Sequence, residues 1–233
     1  MMRFLIVAMG LALSVQAYAA PKEPYTQAGF NVRQAEEQQA PIHWVSVEQI
    51  KASLEGVPPM NVSFDIDDTV LASSGCFFYG QQKYSPDNFD YLKNQDFWDE
   101  INAGCDKYSL PKHSAKALIA MHQERGDQVF FITGRTAGKE DGVTPVLEQY
   151  LGVKNMQPVN FSGGQKHDYK YGKTTYIVKH NVKLHYGDSD DDILAAKEAG
   201  IRGIRVLRAA NSTYEPFPQA GGYGEEVLVN SSY

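Results

Sequence analysis

Asp65 and Asp67 stand two residues apart in Val62-Ser63-Phe64-Asp65-Ile66-Asp67-Asp68-Thr69-Val70-Leu71, where an apolar run ends. Along an extended chain the side chains alternate, so both carboxylates are expected on one face, with Ile66 and Asp68 on the other. Like charges at that spacing repel unless a cation or a shared proton relieves them. Such a pair is tolerated mainly where it does chemistry. Beside a divalent cation, one carboxylate can attack phosphorus and form an aspartyl-phosphate. The other can protonate the leaving oxygen and later take a proton from water. For this string alone, an acidic turn that merely caps a loop is the competing reading.

Gly187-Asp188-Ser189-Asp190-Asp191-Asp192 supplies a second acidic segment. Mg²⁺ takes oxygen ligands, usually one or two carboxylates completed by water and substrate phosphate. Asp188 is placed to share a metal with Asp65, and Asp192, one helical turn further on, to hold a metal-bound water. Helix capping by Ser189 or Asp190 explains part of this cluster but not its facing another acidic loop. In Thr133-Gly134-Arg135 a hydroxyl and the Gly134 amide can hold phosphate oxygens, since glycine permits close backbone approach. Lys173 gains a role if phosphate chemistry needs a cation against the nucleophile; otherwise it is a solvated surface charge.

The elements that must position these groups alternate. A capping box at Ser46 and Gln49 opens a helix through Leu54, and the strand carrying Asp65 follows. Helices are expected over 113–125, 143–151, 173–180 and 190–199. Strands are expected over 128–132, 158–161, 182–186, 203–207 and 224–230. Strands separated by helices imply an α/β fold with a mostly parallel, Rossmann-like sheet flanked by helices. Ligands sit outside the carboxyl ends of such strands, where Asp65, Asp67, Thr133 and Asp188 fall.

Residues 75–108 are rich in aromatics and lie between the first catalytic strand and the next element. They are expected to form a small, mainly helical cap over about 75–110. An aromatic stripe is usually core. Phe77, Tyr91 and Trp98, with Tyr214, are nonetheless the candidates for stacking a flat leaving group, which favours nucleoside and aryl phosphates.

Met1-Met2-Arg3, the apolar run from Phe4 to Val15 and Ala17-Tyr18-Ala19 have the form of a secretory signal peptide over residues 1–19. The run is shorter than the roughly 20 residues a membrane span requires. Residues 20–56 read as a polar N-terminal arm followed by the first helix, and 57–233 as the main domain. The expected product is exported to a bacterial periplasm, with no membrane attachment after cleavage. The net charge of −6, with cations scattered along the chain, argues against a nucleic-acid binder. Cys76 and Cys105, the two cysteines, are either bridged or two buried thiols. A bridge would add about 3 kcal/mol in the chain-entropy model.

The ordered set FDIDDT, FFITGR, a helical lysine and YGDSDDDI resembles the four motifs of the haloacid-dehalogenase superfamily of phosphohydrolases. LKNQDFWDEIN, RGIRVLRAANSTY and PQAGGYGEEVLVNSSY are similar to the bacterial class B nonspecific acid phosphatases. The resemblance implies an acid phosphatase with Asp65 as nucleophile and Asp67 as general acid/base. It implies Mg²⁺ held by the Asp65 side chain, the Asp67 backbone carbonyl and Asp188, with Asp192 acting through water. Thr133, Gly134 and Lys173 would bind phosphate. Small phosphomonoester substrates, phosphotransferase activity and a homotetramer are likewise implied. Cys76, Cys105 and the 161–172 loop depart from the family pattern. A non-catalytic phosphate- or nucleotide-binding protein on the same scaffold is the alternative, and retention of both Asp65 and Asp67 speaks against it.

Overall fold

The computed structural model describes residues 42–214 and 217–233. The expected signal peptide and the arm up to residue 41 lie outside them. The sheet contains β1 (His43–Val45), β2 (Asn61–Phe64), β5 (Gln128–Thr136), β6 (Asn160–Gly163), β7 (Val182–Gly187), β8 (Arg202–Arg205) and β9 (Glu226–Leu228). These lie in the order β1-β9-β8-β7-β2-β5-β6, and every pairing is parallel. The connecting helices are α1 (Val47–Ser53), α4 (His113–Arg125), α5 (Val143–Leu151), α6 (Gly172–Lys179) and α7 (Asp190–Glu198).

Local chemistry sets several boundaries. Ser46 and Gln49 exchange the two hydrogen bonds of a capping box at the start of α1. The last turn of α4 is closed by Gly126 at φ +83°, a left-handed conformation glycine adopts without steric penalty. β2 is central because Val62 and Phe64 are fully buried and pack on both neighbours. Its register aligns Phe64 with Phe131 of β5 and Tyr186 of β7, and the Phe64 and Tyr186 rings stack at 4.6 Å.

Beneath that stack, His122 of α4 is completely buried. Its Nδ1 lies 2.7 Å from Asp127 Oδ2 and its Nε2 2.9 Å from the Tyr186 hydroxyl. A carboxylate only accepts, so Nδ1 carries the proton and Nε2 accepts from Tyr186. Burial pulls His122 below its ordinary value, by more than Asp127 raises it, and burial does the same to His185. The unfolded chain therefore takes up these protons first as pH falls. The contribution of these two histidines to stability is expected to decline below about pH 6.5, by at most about 1.4 kcal/mol per pH unit for each group. His122→Gln should flatten that limb in denaturant titrations; an unchanged slope would refute the assignment.

The cap rises from a short antiparallel stem, β3 (Leu71–Ala72) paired with β4 (Leu110–Pro111). Between them lie α2 (Ser74–Tyr84), a 3₁₀ turn at Asp90–Lys93, α3 (Gln95–Gly104) and a second 3₁₀ turn at Cys105–Tyr108. Cys76 of α2 is disulfide-bonded to Cys105 of the second turn. Cys76, Tyr91, Phe97, Trp98 and Ile101 form a separate small core, with the Tyr91 and Phe97 rings edge-on at 4.9 Å.

Several details differ from the sequence expectation. β2 stops at Phe64, so strand alternation does not place Asp65 and Asp67. The chain instead turns through Asp68, a non-glycine residue at φ +57°, whose amide bonds the Leu71 carbonyl at 2.8 Å. β5 continues through Thr-Gly-Arg, and β6 begins two residues later than expected. The two- and three-residue strands β1, β3 and β4 carry no readable period. Among the described residues, no helix is long and apolar enough to cross a membrane.

Candidate active site

Asp65 emerges at the carboxyl end of β2, its amide donating to the Tyr186 carbonyl at 2.8 Å. The strand register brings Gly134 and Asp188, a few residues past their aligned partners, to the same edge. Together they border a cavity of about 380 Å³ beneath the cap.

Lys173, from the first turn of α6, donates to Asp65 Oδ1 and to Asp192 Oδ1, each at 2.5 Å. The Thr69 hydroxyl lies between the other Asp65 oxygen and Asp188 Oδ1, at 3.2 and 3.0 Å. Arg208 grips Asp188 Oδ2 through Nε and Nη2, both at 2.6 Å. One oxygen from each of Asp65, Asp188 and Asp192 lies within 4.8 Å of the others. Burial, reinforced by Asp192, Asp188 and Asp67, pushes Asp65 well above the usual carboxylate range despite Lys173. Burial also lowers Lys173, but Asp192 and Asp65 more than reverse this and keep it a cation.

Asp192 is oriented by the α7 N-terminus. It forms a capping box with Ser189, and its Oδ2 accepts from the Ser189 amide and hydroxyl at 3.0 and 2.7 Å. His185 Nε2 reaches Oδ1 at 3.2 Å, while His185 Nδ1 accepts from Ser63 of β2 at 2.8 Å. Burial opposes the charge on Asp192, yet Lys173 and His185 hold its carboxyl far below the usual range. A Cβ on Gly187 would lie 2.2 Å from the Asp192 side chain, so only glycine permits this approach.

Asp67 faces a different cation. Arg135 donates to its two oxygens at 2.9 and 2.6 Å, and Ser73 adds a third bond at 2.6 Å. Burial raises Asp67, but Arg135 and Ser73 outweigh it and leave the carboxyl below its ordinary value. Asp68 also borders the cavity, with Ser212 donating to its Oδ2. Burial and Asp188 push Asp68 up to about 6, against Ser212, Arg208 and Lys112.

Asp65, Asp67, Asp188, Gly134 and Lys173 all border the cavity, and so do Phe77, Trp98 and Tyr214. Three expected residues do not. Thr133 is fully buried, and its hydroxyl accepts from the Arg135 amide at 3.2 Å instead of facing the cavity. Tyr91 is 2% exposed because it packs into the cap core against Phe97. Asp192 is fully enclosed behind Lys173. Arg135 and Arg208 are cavity residues that motif reading passed over, although both stand inside the quoted segments TGR and RGIRVLRAANSTY. The available signal was a cation immediately beyond an apolar strand, where burial demands a carboxylate partner.

Sequence comparison decides the family. The description "HAD superfamily, subfamily IIIB (Acid phosphatase)" matches residues 11–217. The chain belongs to this family. It is 65% identical to the class B acid phosphatase of Haemophilus parainfluenzae (strain T3T1), over 97% of this chain and 96% of that protein. The class B acid phosphatase of Salmonella typhimurium is 50% identical over 97% and 96%. As a class B acid phosphatase, the enzyme hydrolyses phosphomonoesters. Phosphatases of this superfamily typically use a divalent metal, and a buried cluster of Asp65, Asp188 and Asp192 is present at this edge.

Proposed function

We propose that this class B acid phosphatase is a periplasmic, Mg²⁺-dependent enzyme. It acts on nucleoside and aryl monophosphates through an aspartyl-phosphate on Asp65. The observation that carries the reading is Asp65 bonded to Lys173, next to Asp188, in a cavity walled by Phe77, Trp98 and Tyr214. In this reading Lys173 and the Gly134 amide hold phosphate oxygens while an Asp65 oxygen attacks phosphorus. Asp67 gives a proton to the leaving oxygen and then takes one from the water that cleaves the acyl phosphate. Arg135 favours the base form of Asp67, and protonation of Asp67 equips it for the first step. An alcohol in place of water would give phosphotransfer.

The donor set suits a divalent cation. Asp65 Oδ2 and Asp188 Oδ1 share one hydroxyl donor, whereas both Asp192 oxygens are taken by Lys173, His185 and Ser189. Asp65 and Asp188 would therefore hold the ion, with Asp192 acting through water and the Asp67 backbone carbonyl added as the family resemblance implies. When bound, the ion supplies positive charge that offsets the carboxylate repulsion and polarises a phosphoryl oxygen. The disulfide supports export to an oxidising compartment. The homotetramer rests on the family resemblance. Scattered cations support small ligands over nucleic acid.

Hydrolysis of p-nitrophenyl phosphate at mildly acidic pH is the test. Chelation is expected to lower kcat by at least about 100-fold, with recovery on adding Mg²⁺. Full activity after exhaustive chelation would reject the metal. Phosphate binding without turnover would favour a binding protein.

A further inference from the structure

The residues that follow the two bridged cysteines both touch Arg135. Phe77, next to Cys76, lies with its ring centroid 5.7 Å from the Arg135 guanidinium. Asp106, next to Cys105, is 1% exposed and binds the same guanidinium through both oxygens, at 2.6 and 2.9 Å. The far side of Arg135 holds Asp67, and its last donor goes to Asn102 at 3.3 Å. All five Arg135 donors are thus engaged, so its position is dictated by the cap as much as by β5. A second link runs through the sulfur, since Cys76 Sγ lies 3.9 Å from the Ser109 hydroxyl, which donates to Asp106 at 3.1 Å.

We propose that the Cys76–Cys105 disulfide is a positioning element of the active site, which fixes Phe77 and Asp106 about Arg135 and thereby sets the placement of Asp67. This rests on the proton-transfer role given to Asp67 above. Without the bridge, α2 and the Cys105–Tyr108 turn are joined, among the described residues, by side-chain packing in a small core and by their shared contacts with Arg135. Displacements well under an ångström there pass through a rigid, fully bonded guanidinium to the carboxylate it holds. Misplacing a reacting group by about 1 Å lowers rates by as much as about 100-fold. A bridge that only stabilised the fold would leave the chemistry of the folded fraction untouched.

Dependence on the leaving group separates the two. Phenolate is a poor leaving group and relies on a proton from Asp67, whereas p-nitrophenolate relies on it much less. Both substrates are aryl phosphates, so the aromatic wall cancels in the ratio of their kcat/KM values, and so does any inactive fraction. The ratio is measured for the oxidised enzyme and for the enzyme reduced with dithiothreitol. That dithiol supplies two electrons and two protons and leaves two thiols, counted by alkylation and mass spectrometry. It is measured also for the Cys76→Ser/Cys105→Ser and Cys76→Ala/Cys105→Ala double variants. The expected result is a loss for phenyl phosphate at least about fivefold greater than for p-nitrophenyl phosphate in each bridgeless form. A ratio equal to that of the oxidised enzyme, whatever happens to the melting temperature, overturns the proposal. Asp67→Asn tells the two possible failures apart. An unchanged ratio there as well removes the role of Asp67, while a change there alone removes the part played by the disulfide.

Discussion

Asp65→Asn should abolish phosphomonoester turnover, lowering kcat for p-nitrophenyl phosphate by more than about 10⁴-fold, the scale seen when a nucleophile is removed. It should also prevent trapping of an acid-stable phosphoenzyme from radiolabelled substrate. The fold is expected to survive with equal or greater thermal stability. Burial and three neighbouring carboxylates raise Asp65 far above its unfolded value, so its charge opposes folding whenever pH exceeds the ordinary carboxylate range. An amide of the same shape retains the contact with Thr69 and leaves Lys173 paired with Asp192. Calorimetry of the chelated protein near neutral pH should show the variant melting no lower than the parent. Retained turnover would reject Asp65 as nucleophile; a large loss of stability would reject the view that its charge is held under tension.

Lys173→Met is expected to damage both activity and folding. Lys173 is the cation that both Asp65 and Asp192 contact, at 2.5 Å each, and all three groups are buried. Removing one partner of a buried ion pair costs about 3–5 kcal/mol, because the remaining charge is left uncompensated. Here two carboxylates lose their partner. Mg²⁺ should restore part of that stability, so the gain in melting temperature on adding Mg²⁺ should be larger in the variant than in the parent. In the proposed mechanism kcat falls as well, since no other side-chain cation reaches Asp65 among the described contacts. An equal response to Mg²⁺ in the two proteins would indicate that Lys173 does not offset the same charge as the metal.

The legible part of the site was its acidic frame. Asp65, Asp67 and Asp188 drew attention in the sequence because unpaired carboxylates at strand ends are costly, and all three border the cavity. Alternation along β2 was the wrong physical reason for pairing Asp65 with Asp67, since the strand stops at Phe64. What separates them is the turn through Asp68, which directs Asp67 towards Arg135 and leaves Asp65 with Lys173. Thr133 and Tyr91 show a different failure. Each has the right chemistry at the right place along the chain, but β5 geometry encloses the first and Phe97 covers the second. Periodicity located the longer helices and missed the two-residue stem strands that raise the cap.

The order of the motifs along the chain established the fold class and the family, and it drew attention to the carboxylates at one sheet edge. These are properties of residue type and spacing, and a parallel sheet delivers every strand end to one rim. Which cation each carboxylate meets was settled by packing. So were the burial of Asp192 behind Lys173, the choice of aromatics that face the cavity, and the bridge between Cys76 and Cys105. Those outcomes depend on distances between segments remote in sequence, Arg135 against Asp106 and Arg208 against Asp188 among them, and no local pattern encodes such distances.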